Sequence, residues 1–188
     1  RFEKGLHKHE PALTLALKAD LNKHAFESSI MEFSLIFAEL KAVRRELREW
    51  MRITYPGMNL ANPFASNKIH VESKGVCLIL SPWNYPVQLT LTPLISCLAA
   101  GNTAIIKPSE FTPTVSEAIK AFIEDTFLPK EVSVVLGDGA VAAQLTELPF
   151  NHIFFTGSPA VGKLVMAAAA KNLTSITLEL GGKSPVVV

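Results

Sequence analysis

Residues 75–86 read GVCLILSPWNYP: an uncharged apolar run, then a turn braced by Pro82 and Pro86. A continuous apolar run of strand length is what a parallel strand covered on both faces requires. Downstream, strand and helix patterns alternate. Residues 87–100 fit a helix with Gly101 just past its end. Residues 103–106 fit a strand, and Thr112 an N-cap with Pro113 at the first helical position. Residues 132–136, 153–155 and 175–180 read as further strands, with helices over 140–146 and 160–170. This alternation implies βαβ units and an α/β fold: an open parallel sheet with helices on both faces. Upstream, residues 68–73 alternate Ile69 and Val71 with polar neighbours, as a half-exposed strand would. Residues 58–67, with Asn62-Pro63 and Ser66-Asn67, read as a connecting loop. Residues 1–60 are helical in pattern. Leu13, Leu17 and Leu21 form one stripe, and Ile30, Phe33, Phe37, Leu40, Leu47 and Met51 a second. Lys41, Arg44, Arg45, Arg48, Glu49 and Arg52 make a solvated face, and Pro56-Gly57 closes the region.

Composition narrows the function. Eighteen Lys and Arg against 17 Asp and Glu leave a net charge of +1 over 188 residues, too little for a nucleic-acid footprint. The chain is long enough to bury a core without disulfides or metal. Cys77 and Cys97 are too few for a disulfide scaffold or a zinc site, so no metal is expected. Reduced thiols, and hence a cytoplasmic location, are the default. No apolar run approaches the ~20 residues of a membrane span. The chain starts at Arg1 and stops in SPVVV (residues 184–188), which reads as the opening of a buried strand. The expectation is therefore a piece of a longer protein.

Five turns at expected strand ends carry the chemistry. Residues 137–142 match G-x-G-x-x-A after a strand, but the acidic residue expected about 20 positions on, near Thr156-Gly157, is missing. A tight structural turn is the preferred reading there. Residues 157–164 (GSPAVGKL) fall one position short of a P-loop, because Leu164 stands where a Ser or Thr would hold Mg²⁺. Backbone N–H groups at that helix start, with Ser158 Oγ, could hold a pyrophosphate. A Ser-capped helix with Pro159 in its first turn would need no ligand, and both readings stand. Glu179 lies in the mostly apolar run 176–180 ahead of Gly181-Gly182. Desolvation there would raise its pKa, as suits a general base; alternatively it faces solvent over a diglycine turn. Asn84, in its proline-braced turn, could donate to an oxyanion. Lys107 and Glu110 share one turn and could bracket a ribose, the lysine as donor and the glutamate as acceptor from both hydroxyls. All of these fall at the carboxyl ends of strands, where open α/β sheets bind ligands.

SPWNYP (81–86), AAGNTAIIKPSE (99–110), FTGSPAVGK (155–163) and LELGGKSP (178–185), in that order and spacing, closely resemble the aldehyde dehydrogenase superfamily. PWNYP combined with TLELGGKSP looks most like its class 3 branch, which handles fatty and aromatic aldehydes. The resemblance covers residues 68–188, and the helices before it fit the family's N-terminal region. It implies an N-terminal helical segment over 1–60 and an incomplete dinucleotide-binding domain, of modified Rossmann type, over 68–188. It implies NAD as cofactor, with NADP possible, and an aldehyde as the small-molecule substrate. Asn84 matches the oxyanion-stabilising Asn, and Glu179 the general base that activates the deacylating water. Lys107 and Glu110 match the adenosine-ribose contacts. Gly157, Ser158, Val161 and Gly162 match the turn and helix start beside the pyrophosphate. Pro82, Trp83, Leu180 and Gly181 match the rest of the cofactor cleft. The family's nucleophilic Cys would lie beyond Val188 in a separate catalytic domain, and neither Cys77 nor Cys97 matches it. The parent would be a homodimer, and the 188-residue piece inactive alone. Three other readings are a cofactor-binding module without turnover, an acyl reductase and a nucleotide hydrolase. Glu179 argues against the reductase and Leu164 against the hydrolase.

Overall fold

The computed structural model describes residues 1–57, 60–62 and 64–187. Met58, Asn59 and Pro63, and with them part of the expected loop 58–67, lie outside the described residues, as does Val188. Five strands form one parallel sheet: β1 (Val76–Leu80), β2 (Thr103–Lys107), β3 (Val132–Val134), β4 (His152–Gly157) and β5 (Ser175–Leu180). Their order is β3-β2-β1-β4-β5. Between them run α4 (Gln88–Ala99), α5 (Pro113–Thr126), α6 (Gly139–Thr146) and α7 (Pro159–Ala170). Ahead of the sheet lie α1 (Phe2–Leu21), α2 (Ala25–Ser28), a π-helical turn (Ser29–Phe33) and α3 (Ser34–Trp50).

Successive side chains of a strand point to opposite faces, so the sheet divides two apolar cores. Ile79, Ala104 and Ile106 meet Leu91 and Leu94 of α4 and Ile119 and Phe122 of α5. Leu78, Leu80, Ile153 and Phe155 meet Leu145 of α6 and Val165 and Ala169 of α7. The first core continues into Leu6, Leu13 and Leu17 of α1, Phe33 of the π turn and Ile36 of α3. Each large apolar side chain taken fully out of water contributes about 1.5–3 kcal/mol.

α1 lies against α5 because Gly5 lets it come close: a Cβ there would stand 2.3 Å from Thr126 Oγ1. The Phe2 and Phe122 rings meet edge to face at 5.5 Å. Lys8 and His9 converge on Asp125 at 2.7 and 3.0 Å. Their hydrogen bonds hold the Asp125 carboxyl below the usual Asp range.

The sequence-based expectations differ from the structure in several places. Residues 68–73 form no strand; Ile69 makes a lone antiparallel bridge to Thr54 and is, like Val71, exposed. Among the described residues no apolar layer covers that pair, and an uncovered two-stranded contact is marginal. The third helix stops at Trp50, ahead of Pro56-Gly57. Ile30 and Met51 of the second stripe are exposed. The third strand ends at Val134 rather than at residue 136. Thr112 occupies the N-cap of α5 but makes no capping bond, and its buried hydroxyl has no partner. Asp20 of α1 reaches over instead, its Oδ2 accepting from Val115 N at 2.9 Å. Residues 184–187 are exposed coil, not the opening of a buried strand.

Candidate active-site cleft

The chain runs outward from β1 through β2 to β3, then crosses to β4 on the other side of β1. The loops leaving β1 and β4 therefore diverge to opposite faces, and a crevice opens between them at their carboxyl ends. Register aligns the rim: Leu80 pairs with Lys107 and Phe155, and Thr156 with Glu179. A cleft of about 1130 Å³ lies along it. Its lining includes Pro82, Trp83, Asn84, Lys107, Glu110, Gly157, Ser158, Val161, Glu179, Leu180 and Gly181. Gly162 is buried just beneath; a Cβ there would stand 2.9 Å from Leu180 Cδ2, so its bareness lets α7 close on the end of β5.

Lys107, only 4% exposed, donates to Glu110 Oε2 at 2.7 Å. Partial burial pushes the Glu110 carboxyl up, but the Lys107 hydrogen bond leads the effects that outweigh it and hold it below the usual Glu range. The pair thus presents an ionised acceptor at the cleft wall.

The two helix starts near the cleft differ in charge. At α6, Asp138 Oδ1 accepts from Ala140 N and Val141 N at 3.0 and 3.2 Å. Its carboxylate already sits where a phosphate would, so the G-x-G-x-x-A segment is a capped turn. Gly137, at φ 154°, could not carry a side chain there, since a Cβ would meet Val141 Cγ2 at 2.5 Å. At α7 the cap is neutral: Ser158 Oγ accepts from Val161 N at 3.3 Å. A helix start without a fixed negative charge remains open to an anion.

Two hydroxyls that the sequence reading missed sharpen the picture. Ser81 Oγ and Thr156 Oγ1, at the carboxyl ends of β1 and β4, line the cleft, are buried, and have no hydrogen-bond partner. Buried polar atoms are normally paired, so orphaned hydroxyls at the switch point fit a polar ligand. Together with the Lys107–Glu110 pair and the neutral α7 start, these groups offer donors and acceptors that could hold a nucleotide.

Asn84 and Trp83 are exposed in the cleft wall. Glu179 is exposed as well, because it lies on β5, the sheet's edge strand. The described residues therefore do not supply the desolvation expected from its apolar neighbours. Beneath the Asn84 turn, Lys23 and Glu32 form a buried ion pair. Burial pushes the Glu32 carboxyl above the usual range, against the Lys23 hydrogen bond and two backbone N–H groups. The sequence offered one sign of it: Glu32 stands beside Phe33 and four residues before Ile36, on the buried face of its helix. The two cysteines contact one another away from the rim. The contact lowers the Cys77 thiol and raises that of Cys97, and burial raises both. Neither lines the cleft.

A doubly wound parallel sheet with a cleft at its switch point is the architecture in which open α/β sheets bind ligands. The chain belongs to the aldehyde dehydrogenase family, whose model matches residues 1–188. It is 45% identical over 183 residues to human aldehyde dehydrogenase family 3 member B1, covering 97% of this chain and 39% of that protein. It is 42% identical to the 4,4'-diaponeurosporen-aldehyde dehydrogenase of Staphylococcus aureus, covering all of this chain and 41% of that one. The chain thus spans about two-fifths of the length of these relatives. Among solved structures, the substrate-bound state of Staphylococcus aureus AldH superposes with a TM-score of 0.95 at 41% identity, over 98% of this chain and 40% of that one. The aldehyde dehydrogenase AldC of Pseudomonas syringae, complexed with NAD⁺ and octanal, superposes with a TM-score of 0.84 at 28% identity, over 98% and 37%.

Proposed function

We propose that this chain is the dinucleotide-binding part of an NAD(P)-dependent enzyme that oxidises an aldehyde to the carboxylic acid. The observation that carries the proposal is the convergence of Asn84, the Lys107–Glu110 pair, the Ser158 turn and Glu179 on one cleft with two orphaned hydroxyls. When bound, the nicotinamide would supply the hydride acceptor. Glu110 would accept from the ribose hydroxyls, with Lys107 donating beside it. Gly157, Ser158, Val161 and Gly162 would seat the pyrophosphate at the start of α7. Pro82, Trp83, Leu180 and Gly181 would wall the cleft and exclude water. The nucleophile would be a Cys thiolate outside these 188 residues. As it adds to the aldehyde carbonyl, charge grows on the oxygen, and the Asn84 amide N–H would stabilise that charge. Glu179 would take a proton from the water that releases the acid, acting as general base. A carboxylate at Glu110 disfavours a 2′-phosphate, so NAD is the preferred cofactor. A cytoplasmic homodimer completes the reading.

The experiment is Glu179→Gln in the enzyme that carries this chain, followed by stopped-flow absorbance of reduced cofactor. A burst of reduced cofactor followed by a slow phase is expected, because acid release is slowed and hydride transfer is not. Loss of the burst itself, with cofactor affinity intact, would remove Glu179 from the deacylation step.

A further inference from the structure

The turn that carries Asn84 is gripped from outside the cleft. Lys23 Nζ lies 2.6 Å from Glu32 Oε1, with Glu32 fully buried and Lys23 only 8% exposed. The remaining bonds of this pair all go to one segment. Glu32 Oε2 accepts from Val87 N at 3.1 Å and from Gln88 N at 2.8 Å, satisfying amides at the start of α4. Lys23 Nζ donates to Asn84 O at 2.8 Å and stands 4.0 Å over the Tyr85 ring. From the first turn of α4, Thr90 Oγ1 donates to Pro86 O. Residues 84–88 are thus held at a carbonyl, a ring and two amides by two side chains from a different part of the chain.

Stability alone is a poor reason to bury these charges, since packed apolar replacements of buried ion pairs are often no less stable. The placement also demands irregular backbone. Asn22, at φ 54°, turns the chain between α1 and Lys23, and Glu32 sits in the π-helical turn Ser29–Phe33. Single π turns within α-helices recur at functional sites. We infer that Lys23 and Glu32 are positioning residues: they fix the backbone of Asn84 and so aim its side-chain amide at the oxyanion of the reacting aldehyde. This rests on the reading of Asn84 as the oxyanion donor.

The test is a double-mutant cycle in the enzyme that carries this chain. Lys23→Met/Glu32→Gln removes both charges and the donor to Asn84 O, yet keeps an acceptor oxygen for Val87 N and Gln88 N. It is expected to lower kcat about 10- to 100-fold, as small misplacements of a reacting geometry do, with dinucleotide Kd within about twofold. Asn84→Ala alone is expected to lower kcat about 10²- to 10³-fold. In the Asn84→Ala background, Lys23→Met/Glu32→Gln should cost less than about a further twofold, because there is no amide left to aim. Full additivity, or an unchanged kcat in the paired variant, would overturn the positioning role while leaving Asn84 as donor. An unchanged kcat in Asn84→Ala would instead sink the oxyanion reading, and the inference with it. Should the paired variant not fold, Glu32→Gln alone, which keeps volume and acceptor, carries the same comparison.

Discussion

Lys107 keeps an ammonium group almost wholly inside the protein, 4% exposed, and Glu110 is its carboxylate partner at 2.7 Å. Glu110→Gln would leave that buried charge without an anion, at a cost of about 1–3 kcal/mol. It would also replace the carboxylate proposed to accept from both ribose hydroxyls with an amide that offers a single, uncharged acceptor oxygen, so NAD affinity should fall by about tenfold, or ~1.4 kcal/mol. The pH dependence has a definite sign. The Glu110 carboxyl is held below its ordinary value when folded. Its contribution is therefore present above the ordinary Glu pKa of about 4.3 and is lost as pH falls through the lower, folded value. The stability difference between wild type and Glu110→Gln, from urea melts, should be constant from neutrality to about pH 5 and should shrink in more acid solution. A difference that grew on acidification would contradict the assignment. Steady-state kcat/KM for the two cofactors checks the same residue from another side: NAD should exceed NADP, and Glu110→Gln should narrow the gap.

At the level of elements, α5 is capped by another helix. Asp20 of α1 accepts from Val115 N, while Thr112, at the formal cap position, leaves its buried hydroxyl unpaired. Asp20→Ala should destabilise by about 1 kcal/mol, the usual worth of a lost N-cap. Thr112→Val should be neutral or stabilising, since it replaces an unsatisfied buried hydroxyl with a methyl group of similar shape. Thermal unfolding of the two variants checks both, and the reverse order would show that Thr112 is the working cap. The same helix marks where the sequence was legible. Its start at Pro113 follows from local pattern. The source of its cap does not, because Asp20 and Val115 are 95 residues apart. Likewise the runs 75–80 and 175–180 were readable as strands from apolar content, and the rim residues from their place after them. Residues 68–73 misled because alternation describes a strand only when something covers its apolar side. Lys23 and Glu32 were missed because no local pattern tells that a π turn will swing one helical carboxylate under backbone 55 and 56 residues further along the chain.

The whole molecule sets its cleft and its thiols at opposite ends of the sheet. The rim runs along the carboxyl ends of the strands, past Leu80, Lys107 and Gly157. Cys77 pairs in register with Ala104 and His152, three residues before Leu80. At ~3.3 Å per residue, its backbone lies about 10 Å below the rim. Cys97 is near the end of α4, with its sulfur 3.8 Å from the carbonyl of Thr103, where β2 begins. Both thiols thus sit toward the amino ends of the strands, and Cys77 is buried between sheet and helix. Covalent oxidation of an aldehyde needs a thiolate within reach of the carbonyl carbon whose oxygen, in the reading proposed above, Asn84 would meet. No rotation of either side chain spans that distance. The 188-residue chain by itself should therefore bind NAD and show no aldehyde oxidation. Dinucleotide binding by fluorescence titration should survive Cys77→Ser and Cys97→Ser and weaken in Glu110→Gln. Absorbance of reduced cofactor should stay flat with aliphatic and aromatic aldehydes alike. Turnover by this chain that disappeared in Cys77→Ser or Cys97→Ser would place the nucleophile on β1 or α4 and overturn the division of labour argued from its geometry.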